Sequence, residues 1–174
     1  FIRLDNGELR STGDFRQVEP LDNVPLIDRD LVNWKDYAYE NGNFLQTPGT
    51  YASSVIRDCM FGKCTFCRYN GPDLTFSMMS VERSLDEYER LINEHGVKEI
   101  FDDSGVWYRG KEARQFAQGI IDRGLHKKGC YFGINTRFEY LDEETIKLMG
   151  KANFRFILLG YEAADNVTLI KLNK

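Results

Sequence analysis

Residues 51–68 read YASSVIRDCMFGKCTFCR, a run from Tyr51 to Asp58 rich in β-branched and aromatic residues that feeds into a loop with cysteines at 59, 64 and 67. Residues of this kind favour an extended strand. Downstream, Val81, Leu85, Tyr88, Leu91 and Ile92 recur at helical spacing, which predicts a helix from Val81 to Glu94 with Ser80 as N-cap and Gly96 as stop. A strand, a polar loop and an amphipathic helix make one βα unit, and the same order returns three more times.

Val97 to Phe101 is the second predicted strand and ends in Asp102-Asp103-Ser104-Gly105. The helix after it, Lys111 to Arg123, places Ala113, Phe116, Ala117, Ile120 and Ile121 on one face before Gly124. Cys130 to Asn135 is the third strand and leads to Thr136-Arg137. Asp142 caps the next helix, Leu141 and Ile146 are spaced as a hydrophobic staple, and Asn153 ends it. The fourth strand, Phe154 to Leu159, delivers Gly160-Tyr161-Glu162, and Asp165 caps a helix from Asn166 to Lys174. Strands alternating with helices predict an α/β fold on a parallel sheet, with at least four βα units. In such folds the loops leaving the C-terminal strand ends converge on one rim. The cysteine loop, Asp102 to Ser104, Asn135 to Arg137 and Glu162 are therefore predicted to face a common space.

Residues 1–49 read differently. Asn6-Gly7, Thr12-Gly13, Pro20, Pro25, Asn41-Gly42 and Pro48-Gly49 break any long periodicity, so they form a lead-in segment ahead of a core at 50–174. The 174 residues are 42% hydrophobic, enough for one sizeable core, and carry a formal net charge of -4, which disfavours non-specific binding to nucleic acid. No stretch approaches the ~18 consecutive apolar residues needed to span a bilayer, and the first ten residues lack the order of a signal peptide, which predicts a cytoplasmic protein with no membrane partner. The chain opens on Phe1 and stops inside a predicted helix, so it is expected to be a piece of a longer protein.

Three cysteines crowd into nine residues while Cys130 stands far away, an arrangement that favours metal ligation over disulfides. Three thiolates can hold three irons of a 4Fe-4S cubane and leave the fourth open to an exogenous chelate. Two alternatives stay open. A zinc-stabilised binding module would need a fourth ligand from Cys130, His95 or His126. A ferredoxin-like electron-transfer domain would hold its cluster with four protein ligands. Cys130 itself lies in an apolar strand and reads as a buried structural residue.

The C-x4-C-x2-C segment from Cys59 to Cys67 resembles the signature of the radical S-adenosylmethionine (radical SAM) superfamily, a C-x3-C-x2-C loop after the first strand with an aromatic before the last cysteine. Phe66 takes the aromatic place, and Gly62-Lys63 stands where the family usually has one residue, with Gly62 able to absorb the insertion as a turn. Thr136-Arg137 and Leu159-Gly160-Tyr161-Glu162 are similar to the family's third- and fourth-strand ends, so the resemblance covers Thr50 to Asn166. It implies a partial (βα) parallel barrel of the radical SAM type, where the family's barrel usually has six strands. It also implies a 4Fe-4S cluster on Cys59, Cys64 and Cys67 that reductively cleaves S-adenosylmethionine. The resulting 5'-deoxyadenosyl radical would abstract hydrogen from a substrate that the sequence does not name. A low-potential donor of the flavodoxin or ferredoxin type would supply the electron.

The same resemblance assigns cofactor contacts. Phe66 would lie near the adenine. Asp102, Asp103 and Ser104 stand where the family's second-strand motif holds the methionyl amino group, although acidic turns also cap helices or bind water. Asn135 and Arg137 would face S-adenosylmethionine, the guanidinium suiting a carboxylate, and Glu162 would contact its ribose or amino end. Arg137 and Glu162 also read as an ordinary ion pair. Finally, Asp5-Asn6-Gly7-Glu8 and the run Leu21 to Leu31 resemble the connector preceding the radical core in cobalamin-binding members. This implies cobalamin in a domain outside this chain and a methyl-transferring or ring-forming parent.

Overall fold

The computed structural model describes residues 2–11, 13, 20–39, 44–52, 56–57, 59–69 and 76–174. Among these, the central sheet has four parallel strands in the order β1 (Gly49–Ala52), β2 (Glu99–Asp102), β3 (Tyr131–Thr136) and β4 (Phe154–Leu159). The crossovers carry helices α1 (Val81–Asn93), α2 (Gly110–Asp122) and α3 (Glu143–Lys151), and α4 (Asn166–Leu172) follows β4. The expected α/β fold with four βα units is therefore present. No helix among the described residues is long and apolar enough to cross a membrane.

Period-two alternation divides the sheet into two faces. Ile100, Phe132 and Ile134 belong to one fully buried cluster with Leu85, Tyr88 and Leu91 of α1 and Phe116 and Ile120 of α2. Rings interlock there: Tyr88 lies 4.9 Å from Phe116 and 5.6 Å from Phe132, and Phe132 lies 5.4 Å from Phe154. Each such side chain contributes roughly 1.5–3 kcal/mol by leaving water. A second aromatic row runs across strands β1, β2 and β4, with Tyr51 5.9 Å from Phe101 and Phe101 5.5 Å from Phe156. Gly133 on β3 makes that row possible, since a Cβ there would come within 2.7 Å of Phe101 Cδ2.

Helix ends follow the cap residues. Ser80 Oγ accepts from the Arg83 amide at 3.2 Å, Asp142 Oδ1 from Thr145 at 2.7 Å and Asp165 Oδ1 from Thr168 at 2.8 Å. Asn153 takes a left-handed φ of 65° just before β4. Ile146 departs from its expected role: it is 49% exposed, so the staple with Leu141 is not closed on both sides. Helix α4 ends at Leu172, two residues earlier than predicted, because Asn173 turns left-handed at φ 52°.

Strand boundaries shift more. β1 begins at Gly49, two residues ahead of the predicted start. Glu99 at the start of β2 accepts from the amides of Leu45 and Gln46, both at 2.9 Å, and so fixes the preceding chain to β2 before the ladder opens at Gly49↔Glu99. The described part of the strand expected from Tyr51 to Asp58 does not stay in one ladder. β1 stops at Ala52, and Ile56–Arg57 instead pairs antiparallel with Ser77–Met78. Residues 53–55 and 58 of that prediction, and the turn signals at Thr12, Asn41 and Gly42, lie outside the described residues. Val97 precedes β2 as a fully buried turn residue, its amide donating to Leu91 O at 3.1 Å.

The lead-in is docked on the core. Leu21, Trp34 and Ala38 are buried. Arg29 Nη1 lies 2.5 Å from Glu87 Oε1 of α1, with both side chains buried, and Arg29 Nη2 donates to Tyr51 O at 3.2 Å. Asp22 Oδ1 accepts from the Ser80 amide at 2.8 Å, and Arg83 Nη2 donates to Val24 O at 2.6 Å.

Candidate cofactor site

A cavity of about 390 Å³ opens at the C-terminal ends of β3 and β4. Its wall includes all three cysteines of the loop, together with Phe66, Asn135, Arg137 and Glu162. Cys64 is buried, and Cys59 and Cys67 are half-buried. The loop turns tightly, the Cys67 amide donating to Cys64 O at 3.1 Å. Gly62 sits at φ 54°, a conformation that costs an ordinary residue free energy, and so takes up the extra position between the first two cysteines. The end of α4 grips the same loop: the Thr65 amide donates to Leu172 O at 3.0 Å and Asn173 Nδ2 to Lys63 O at 2.9 Å.

Around the thiols the polar side chains are individually held. Arg137 is buried, its guanidinium carbon 3.7 Å from the Phe61 ring centroid and its Nη1 3.8 Å from Cys64 Sγ, while Nε pairs with Glu139. Glu162 has a left-handed backbone at φ 57° and pairs with Lys174 Nζ at 3.1 Å. Arg137 and Glu162 thus each have a separate partner. Phe66 is 53% exposed on the cavity wall.

The acidic turn splits in two. Asp102 shares the helix-facing side of β2 with Ile100 and is fully buried. Tyr88 Oη donates to it at 3.1 Å, the Ser104 amide at 3.0 Å and Ser104 Oγ at 2.5 Å. Desolvation outweighs these three donors and pushes its carboxyl up to about 7. Ser104 is buried with it, and neither lines the cavity. Asp103 is exposed and connects to the cavity wall through Asn135, whose Nδ2 donates to Asp103 Oδ1 at 3.0 Å and to Ser104 O at 3.4 Å.

Sequence reasoning passed over Lys174, Tyr69 and Leu158, which also line the cavity, and assigned no contact to Thr136. Thr136 Oγ1 is buried without a hydrogen-bond partner among the described residues. Its place beside Arg137 at a strand end was the available signal. Lys174 arrives only through the course of α4, which no local pattern specifies.

Three thiols on one cavity wall are the number that a 4Fe-4S cluster with one open iron would need. Among the described residues no three histidine, cysteine or acidic side chains converge on a single-ion point. The three residues that could complete a zinc site lie before the strands, at the opposite end of the sheet from the cavity. Cys130 is fully buried immediately before β3, and burial pushes its thiol up to about 12. His95 packs edge-on against Trp34 at 5.4 Å, and His126 follows α2, its carbonyl accepting from Asn153 Nδ2 at 2.6 Å.

No family model matches the chain. Its sequence is 33% identical over 175 residues to the anaerobic magnesium-protoporphyrin IX monomethyl ester cyclase of Cereibacter sphaeroides, covering 98% of this chain and 27% of that protein. It is 28% identical over 172 residues to the cyclase of the same name from Rubrivivax gelatinosus, covering 97% of this chain and 29% of the relative. The chain thus spans less than a third of the length of these relatives. The fold is that of the cobalamin-dependent S-adenosylmethionine radical enzyme OxsB in its apo, selenomethionine-labelled structure, with a TM-score of 0.67 at 19% identity over 98% of this chain and 25% of that one. Similarity along nearly its whole length to these proteins, joined to the three-cysteine loop at the strand ends, bears out the resemblance of the chain to the core of cobalamin-dependent radical SAM enzymes.

Proposed function

We propose that the chain is the catalytic core of a radical SAM enzyme in which Cys59, Cys64 and Cys67 hold a 4Fe-4S cluster and S-adenosylmethionine occupies the adjoining cavity. The observation that carries this reading is the shared wall: three thiols, Glu162, Arg137 and Asn135 line one cavity, with Asn135 Nδ2 donating to Asp103 beside it. When bound, the reduced cluster supplies the electron that cleaves S-adenosylmethionine to methionine and a 5'-deoxyadenosyl radical. The protein's own part is positioning. Glu162, already paired with the Lys174 ammonium, presents a carboxylate to the ammonium or ribose hydroxyls of the ligand, and Asp103 offers a second acceptor at the rim. Phe66 gives an apolar face for the adenine.

Residues 50–174 are read as a partial barrel and 1–49 as the connector that docks on it. A cytoplasmic parent would add a cobalamin domain and receive electrons from a flavodoxin or ferredoxin. Its reaction would be hydrogen abstraction leading to ring formation or methyl transfer, in line with relatives named as cyclases. The test is anaerobic reconstitution with iron and sulfide, followed by electron paramagnetic resonance of the reduced protein with and without S-adenosylmethionine. A 4Fe-4S signal that changes on adding S-adenosylmethionine is expected, as is its loss in Cys59→Ala, Cys64→Ala and Cys67→Ala. A cluster indifferent to S-adenosylmethionine, or one that survives any of these substitutions, overturns the reading.

A further inference from the structure

We propose that Arg137 sets the reduction potential of the cluster by donating to the Cys64 thiolate, and that Phe61 holds it in that position. The proposal rests on the cluster reading above and gives Arg137 a role other than recognition of a substrate carboxylate.

The geometry fixes the guanidinium on three sides. Nη1 lies 3.8 Å from Cys64 Sγ, the Phe61 ring centroid lies 3.7 Å from Cζ, and Nε pairs with Glu139. Only 8% of the Arg137 side chain is exposed, whereas its partner Glu139 is 51% exposed. Swinging the fork toward a ligand would therefore break the sulfur contact, the stack on the ring and the Glu139 pair together. Phe61 lies between Cys59 and Cys64 in the sequence, so the stack also ties the cysteine loop to the end of β3.

The consequence for redox chemistry follows from charge. Accepting one electron makes the cluster and its thiolates more negative by one unit. A shielded cation that also donates to a ligating sulfur stabilises that reduced form more than the oxidised one, which raises the potential. Glu139, being half in water, offsets this effect only in part. Reduction by a biological donor would be correspondingly easier.

The test compares the full chain with Arg137→Met, Arg137→Lys and Phe61→Leu, each reconstituted anaerobically with iron and sulfide. Midpoint potentials are read by reductive titration followed by electron paramagnetic resonance, and S-adenosylmethionine affinity is measured alongside. Arg137→Met is expected to shift the potential to a more negative value, and Arg137→Lys to shift it less. Phe61→Leu, which keeps the charge but removes its seat, should move it a smaller distance in the same direction and serves if Arg137→Met does not fold. An unchanged potential in Arg137→Met, or in Phe61→Leu where it stands in, overturns the proposal. A loss of S-adenosylmethionine affinity of tenfold or more with no change in potential would assign Arg137 to the ligand carboxylate instead. Failure of the parent chain to form any cluster would sink the functional reading itself, before the variants are compared.

Discussion

Asp102 and Asp103 are adjacent in sequence and live in different media. Alternation along β2 sends Asp102 to the side of Ile100, under α1, and leaves Asp103 on the rim. The position of the acidic turn at a strand end was legible, but the division of labour within it depends on register, which a shift of one residue reverses. The carboxyl of Asp102, raised to about 7 from 3.8 by burial, binds its proton more tightly folded than unfolded. Below the unfolded value both states are protonated and its contribution is fully present. Between the two values the native state holds more protons, so stability falls as pH rises and levels off above about 7. Melting temperatures across this window should show a decline that flattens in Asp102→Asn. A decline of equal slope in that variant would mean that another group carries it.

At the scale of elements, the helices were legible because their signals are local. Ser80, Asp142 and Asp165 each cap the helix expected of them. The strands were less legible because partners decide where a ladder begins, and for β1 the decisive partner, Glu99, lies 54 residues from Leu45. The grip of α4 on the cysteine loop is a contact of the same kind, joining Lys63 to Asn173 across 110 residues. Asn173 serves twice, tolerating a left-handed backbone at φ 52° and donating its side-chain amide to Lys63 O. Asn173→Ala removes the hydrogen bond and makes that backbone less favourable, at a cost of ~1–2 kcal/mol. Faster hydrogen exchange at the Thr65 amide, with exchange in β3 unchanged, is the expected result. Unaltered Thr65 exchange would show that the loop holds its shape without α4.

For the molecule as a whole, the lead-in and core cohere through a charge pair that neither segment announces. Turn-formers in residues 1–49 gave a segment without long periodicity, while burial of Leu21, Trp34 and Ala38 shows that it is packed. Arg29 and Glu87 meet at 2.5 Å with side chains 7% and 2% exposed, 58 positions apart, and no local pattern pairs them. The buried pair owes its tolerance to being complete: removing one member strands a desolvated charge and typically costs 3–5 kcal/mol, whereas replacing both by apolar residues of similar size is often neutral. Glu87→Leu alone should therefore lower the denaturant midpoint sharply, and Arg29→Met with Glu87→Leu should recover most of the loss. Limited proteolysis gives the spatial readout, because a lead-in released from α1 becomes cleavable ahead of β1 in the single variant and is protected again in the double. A double variant as unstable as the single would mean that the contact of Arg29 with Tyr51 O, rather than the ion pair, fastens the lead-in to the sheet.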